Sequence, residues 1–139
     1  MTVIDASVAV KWFLPEPGEE AAEQVLTAGE ELTAPSLIRV EVTAAILRKV
    51  RFKEIAEQEA QMATRLWFQA LVDGVVTLVP DEADLSEAVP IALALKHPLQ
   101  DCLYLAVAKR LGAPLITADQ KFAAKASAAY PNVRLLAGC

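Results

Sequence analysis

The stretch Pro98–Leu136, PLQDCLYLAVAKRLGAPLITADQKFAAKASAAYPNVRLL, decides the fold. Pro98 to Leu111 predicts a helix closed by Gly112, because glycine tolerates the left-handed conformation that ends helices. Pro114-Leu115-Ile116-Thr117 reads as a short strand, Asp119 to Ala129 as a second helix, and Val133 to Leu136 as a last strand. The strands are short continuous apolar runs rather than alternating ones. That pattern belongs to parallel strands buried on both faces, with helices carrying the chain between them.

The same alternation extends upstream. Thr2-Val3-Ile4-Asp5 reads as a strand rich in β-branched residues, and Ala6 to Phe13 as a short helix stopped by Pro15 and Pro17. A helix over Gly18 to Ala28 carries acids in its first turn, as the helix dipole favours, and Gly29 closes it. Leu32-Thr33-Ala34 is a strand, Pro35-Ser36 opens a helix to about Val50, and an amphipathic helix follows from about Glu54 to Val72. Val75 to Val79 is a strand, and Asp81 to Leu95 a helix that Pro90 bends by removing one backbone hydrogen bond. The expected architecture is a three-layer α/β/α sandwich, a mainly parallel central sheet flanked by helices, as a single domain over residues 1–139.

Composition narrows the function. At 139 residues the chain can bury a real core without disulfides or structural zinc. Hydrophobic residues make up 55 % and mean hydropathy is +0.35, which suggests a well-filled core or apolar surface kept for a partner. No apolar run reaches the roughly 20 residues that span a bilayer, and Asp5 interrupts the first apolar run, so no membrane association, no signal peptide and a cytoplasmic location are expected. Cys102 and Cys139 fit a reducing compartment and match no zinc spacing. The formal charge of −5 disfavours a general nucleic-acid binder. The cations are clustered, however, with Arg39, Arg48, Lys49, Arg51 and Lys53 in one segment and Lys96, Lys109, Arg110, Lys121 and Lys125 in the last third. A basic rim around an acidic pocket is compatible with that distribution. Glu16, Glu19, Glu20 and Glu23 read as surface acids.

Four acids stand out. In open α/β sheets ligands sit beyond the carboxyl ends of the strands. Asp5 ends the first strand, and Asp119 follows Leu115-Ile116-Thr117 at a helix start, where a capping role is the plain alternative. Glu41 and Asp101 lie in apolar helical runs. Leu37, Ala44 and Ala45 share the face of Glu41, and Tyr104, Leu105 and Ala108 that of Asp101. A carboxylate on a buried face needs a cation, a basic partner or a proton. For Asp101 a favourable place near a helix N-terminus is the plain alternative, and for Glu41 a buried arginine. Converging, the four would suit a hard divalent cation, which takes oxygen ligands and activates water for attack on phosphorus. No Cys-His cluster suggests zinc and no glycine-rich phosphate loop is present.

These residues resemble the PIN-domain family, and specifically its VapC-type toxins of toxin–antitoxin pairs. The resemblance runs in order through VIDASVAVKWF, APSLIRVEVTAAIL, HPLQDCLYLAVAKRLGAPLITAD and the following KF, and covers essentially the whole chain. It implies a PIN-like fold and a Mg2+- or Mn2+-dependent endoribonuclease whose ion is held by Asp5, Glu41, Asp101 and Asp119. It also implies a homodimer neutralised by a cognate antitoxin, whose C-terminal segment would follow an apolar groove near the site. The apolar residues of 36–72 would suit such a groove. Ser7 and Thr117 are candidates to orient the carboxylates through outer hydrogen bonds, and Arg39 and Lys121 to hold RNA phosphates. His97 reads as a loop histidine without a role, although acid–base work is conceivable. Trp12, Trp67 and Phe68 read as core or dimer contacts rather than base-stacking platforms.

Two other magnesium-dependent phosphotransfer folds fit less well. A phospho-receiver needs a second acid beside the first, where Ala6 stands, and a haloacid-dehalogenase-like phosphatase needs an Asp at Ser7. A non-enzymatic binding module with purely structural acids is the remaining alternative; it predicts no metal dependence.

Overall fold

The computed structural model describes residues 1–139. Five strands, β1 (Thr2–Ile4), β2 (Leu32–Pro35), β3 (Thr77–Val79), β4 (Leu115–Thr117) and β5 (Val133–Leu135), form one sheet in the order β3-β2-β1-β4-β5. All four ladders are parallel, with Val3 opposite Thr33 on one side and Leu115 on the other. The central β1 is buried at every residue, whereas Arg134 and Leu135 of edge strand β5 are exposed. Strands two-sided in their burial have no use for alternation, which is why they read as continuous apolar runs. No helix is long and apolar enough to cross a membrane.

Helices α1 (Ala6–Ala9), α2 (Glu19–Thr27), α3 (Ile38–Arg51), α4 (Glu57–Val72), α5 (Leu85–Leu95), α6 (Leu99–Leu111) and α7 (Gln120–Ala129) flank the sheet. The right-handed crossover rule puts the helices of the β1-to-β3 leg and the helix of the β4-to-β5 leg on opposite faces. In α3 the buried residues are Ile38, Val42 and Ile46, four apart, so they form one stripe. Helix α6 is buried at every position from Cys102 to Ala108; it packs on β1 and β2 with α5 over its other side. Gly112 ends it at φ +63°.

Several expected boundaries move. The helix expected over Ala6–Phe13 is α1 followed by a 3-10 turn over Val10–Trp12. The helix expected over Asp81–Leu95 begins as a separate 3-10 turn at Asp81–Ala83, and α5 then continues through Pro90. Two long-range contacts, three hydrogen bonds in all, explain that break. Asp81 Oδ1 accepts from Leu37 N at 2.9 Å, capping the start of α3, and buried Asp84 is gripped by Arg110 at 2.6 and 2.9 Å. Trp67 is fully buried, with its indole N–H on Arg39 O at 3.3 Å, while Phe68 is exposed.

Candidate functional site

The sheet order creates the site. The chain leaving β1 goes to β2 on one side, and the chain leaving β4 goes to β5 on the other. The crevice between two such diverging strands, beyond their carboxyl ends, is where open α/β sheets bind ligands. A cleft of about 510 Å³ lies there, and Asp5, Glu41, Asp101 and Asp119 all line it. Ser7 lines it too, with Lys11, Arg48 and Lys49 as its cations.

Each of the four carboxylates has one oxygen tied to the scaffold. Asp5 Oδ2 accepts from Thr117 Oγ1 at 2.7 Å and from Ser7 Oγ at 3.0 Å. Those two hydroxyls also accept from the backbone of the β4 end: Ala118 N donates to Ser7 at 2.9 Å and Asp119 N to Thr117 at 3.1 Å. Glu41 Oε1 accepts from the Tyr104 hydroxyl at 2.7 Å, joining α3 to α6. Asp101 Oδ2 lies 2.6 Å from His97 Nε2. Asp119 Oδ1 accepts from Phe122 N at 3.1 Å and so does cap α7. Capping does not account for Asp5: it stands at the start of α1 without a side-chain cap bond.

The electrostatics are those of crowded, partly dehydrated acids. Burial, with the charges of Asp101 and Glu41, pushes the Asp5 carboxyl up to about 6 against the hydrogen bonds from Thr117 and Ser7. Burial also raises Glu41, opposed by the Tyr104 bond and aided by the charges of Asp101 and Asp81. Tyr104 itself is raised by burial and by the carboxylates around it, so it stays a neutral donor. Six carboxylates against three cations line the cleft once Glu16 and Glu54 are included.

The surroundings differ in places from the expectation. Ala44 is exposed and Leu37 and Ala45 are half-buried, so Glu41 lies beside the buried stripe of α3, facing the cleft, with Tyr104 rather than an arginine as its partner. Asp101 sits in the first turn of α6, its side chain 25 % exposed. Glu16, expected among surface acids, lines the cleft and pairs with Lys11 at 3.2 Å and Lys49 at 3.7 Å. Arg39 and Lys121 are exposed and do not line the cleft. Of the cations that do, Arg48 makes no ion pair within the chain.

His97 is the residue the sequence left without a role. Its side chain is only 8 % exposed, and its ring nitrogen and one oxygen each of Asp101 and Asp119 lie within 4.8 Å of one another. Its four-residue spacing from Asp101 across a helix start was the available signal. The donor set suits a hard divalent cation: four carboxylates, each with one oxygen held, one of them buried beneath a net negative lining. Cys102 adds no ligand, because it is buried among Ala88, Leu103 and Ala106.

The comparisons with known proteins bear on the family and the fold. The family model described as PIN domain matches residues 2–128. Ribonuclease VapC3 of Pyrobaculum aerophilum is 33 % identical over 129 residues, covering 88 % of this chain and 92 % of the relative. Ribonuclease VapC12 of Mycobacterium tuberculosis is 33 % identical over 125 residues, covering 88 % and 90 %. Two solved structures share the fold. A chain of a toxin–antitoxin complex from Klebsiella pneumoniae matches with a TM-score of 0.65 at 20 % identity, covering 100 % of both chains. A Pyrobaculum aerophilum protein of known crystal structure matches with a TM-score of 0.67 at 21 % identity, covering 89 % of this chain and 83 % of that one.

Proposed function

This chain belongs to the PIN-domain family, and we propose that it is a Mg2+- or Mn2+-dependent endoribonuclease, the toxin of a toxin–antitoxin pair. The observation that carries the reading is the convergence of Asp5, Glu41, Asp101 and Asp119 on one cleft, each with one oxygen held by a donor of the scaffold. These four residues would hold the ion, directly or through water. When bound, the ion supplies a Lewis acid that acidifies water and offsets charge on a phosphate.

The chain's own residues do the positioning. Thr117 and Ser7 fix the plane of the Asp5 carboxylate, and Tyr104 holds Glu41 toward the cleft. Ligands held in advance lose little freedom on binding, which strengthens the site. Burial and the neighbouring carboxylates raise Asp5 to about 6, so its ionised form is short of solvation and a cation beside it is favoured. Arg48 on the rim is placed to meet an RNA phosphate.

Partners have separate support. Val40 and Leu47, seven residues apart on one face of α3, and Phe52 at its end are large apolar side chains left exposed, and Phe52 also lines the cleft. That strip suits an antitoxin segment. On α5, Leu85, Val89 and Leu93 are exposed at four-residue spacing, one stripe suited to a second copy of the chain.

The test is cleavage of a mixed RNA pool by antitoxin-free protein with Mg2+, with Mn2+ and with EDTA, beside Asp101→Asn. Metal-dependent cutting that the variant loses by at least about 100-fold while remaining folded supports the reading. Cutting that survives EDTA, or no cutting with either metal, sinks it.

A further inference from the structure

We infer, resting on the metallonuclease reading above, that His97 is a positioning residue which holds Asp101 through an Nε2–H donor and is not itself a metal ligand. His97 occupies the short link between α5 and α6, just after Lys96, whose backbone takes the left-handed conformation at φ +52°. Two residues of α7 fix this link. Lys125 Nζ donates to Lys96 O at 3.1 Å, and the Phe122 ring stacks on the imidazole at 5.0 Å with 26° between planes. Phe122 also donates its backbone N–H to Asp119. One residue thus braces two carboxylates of the cleft, Asp119 through its backbone and Asp101 through the ring it supports.

The hydrogen-bond partners decide the tautomer. Lys125 Nζ lies 3.4 Å from His97 Nδ1. An ammonium donates only, so the nitrogen facing it is the acceptor and the ring proton sits on Nε2. Nε2 is 2.6 Å from Asp101 Oδ2, and the proton between them is a charge-assisted donor to the carboxylate. For Nε2 to bind an ion instead, the ring proton would have to move to Nδ1, against the Lys125 ammonium. The proximity of His97 to Asp101 and Asp119 is therefore that of an outer partner. It occupies Oδ2 of Asp101 and leaves Oδ1 for the cleft. The plain alternative is a bond that only steadies the start of α6. Such a bond would change melting temperature and leave metal affinity as it was.

Mn2+ affinity separates these readings without any RNA. It is read from the loss of the free-ion EPR signal in wild type, His97→Leu, His97→Gln and Lys125→Met. The expected result is a loss of about 10-fold or more in His97→Leu, a smaller loss in Lys125→Met, and affinity within about 3-fold of wild type in His97→Gln, whose amide N–H replaces Nε2–H. Exposed Lys125 makes its variant safe to fold should His97→Leu fail to. Equal losses in Leu and Gln variants, with nitrogen hyperfine coupling from a coordinated imidazole in the wild type, would make His97 a ligand and overturn the inference. So would wild-type affinity in all three variants, in which case the metal site itself stands. Absence of Mn2+ uptake by the wild type would remove the metal site, and the role of His97 with it.

Discussion

The Thr117 hydroxyl donates to Asp5 Oδ2 across 2.7 Å, tying the end of β4 to the end of β1, two strands 112 residues apart in sequence. The Thr117 hydroxyl oxygen also accepts from Asp119 N, so one side chain orients one acid and the backbone of another. Thr117→Val keeps the shape and removes both bonds. It is expected to cost about 1–3 kcal/mol of stability, because a buried carboxylate and an N–H lose partners. Thr117→Ser should restore most of it. Urea unfolding of the three proteins checks this, and a Val variant as stable as wild type would refute the link.

Asp5 makes the metal-free protein sensitive to pH. Its carboxyl is raised from 3.8 to about 6 in the folded chain, chiefly by burial. Between those values the folded state binds a proton that the unfolded state has lost, so stability falls as pH rises through this window and levels off above it. The full difference is about 3 kcal/mol. In EDTA, wild type should lose this amount between about pH 4 and pH 7 relative to Asp5→Asn, which keeps the shape without the charge. Parallel stability curves for the two proteins would mean that Asp5 titrates normally.

Tyr104→Phe removes the donor that holds Glu41. Glu41 is half-buried and can regain water, so a stability loss of only about 1 kcal/mol is expected. Divalent-ion affinity should fall further, by about 10-fold, because an oriented ligand becomes a loose one. Calorimetric titration with Mn2+ beside thermal melting gives both numbers. An unchanged ion affinity would place Glu41 outside the metal site.

Arg48 is the rim cation without an ion pair, whereas Arg39 and Lys121 lie off the cleft. Arg48→Ala should raise KM for RNA, leave Mn2+ affinity unchanged and reduce the salt dependence of binding by about 0.7 in log–log slope, the contribution of one phosphate contact on a single strand. Arg39→Ala and Lys121→Ala serve as comparisons. A larger slope change in either would move the RNA path away from Arg48.

Local chemistry made much of this protein legible without coordinates. Short apolar strands, Gly112 closing α6 and the order of strands and helices determined a parallel α/β sheet, because propensity and burial period act over a few residues. The four acids were legible because a carboxylate in an apolar run needs an explanation. The break at Asp84 was not, since its partner Arg110 lies 26 residues away. The role of Glu16 in the cleft and the Tyr104–Glu41 bond across 63 residues were hidden for the same reason. His97 was hidden although its partner is four residues away, because only α7 brings Lys125 and Phe122 against the ring. The sequence by itself determined which acids are candidates for the site and whether each lies at a strand end or on a helix. The tertiary structure alone decided which oxygen of each acid is tied and which cations reach the rim. Those contacts depend on the strand order β3-β2-β1-β4-β5, set by packing over the whole chain.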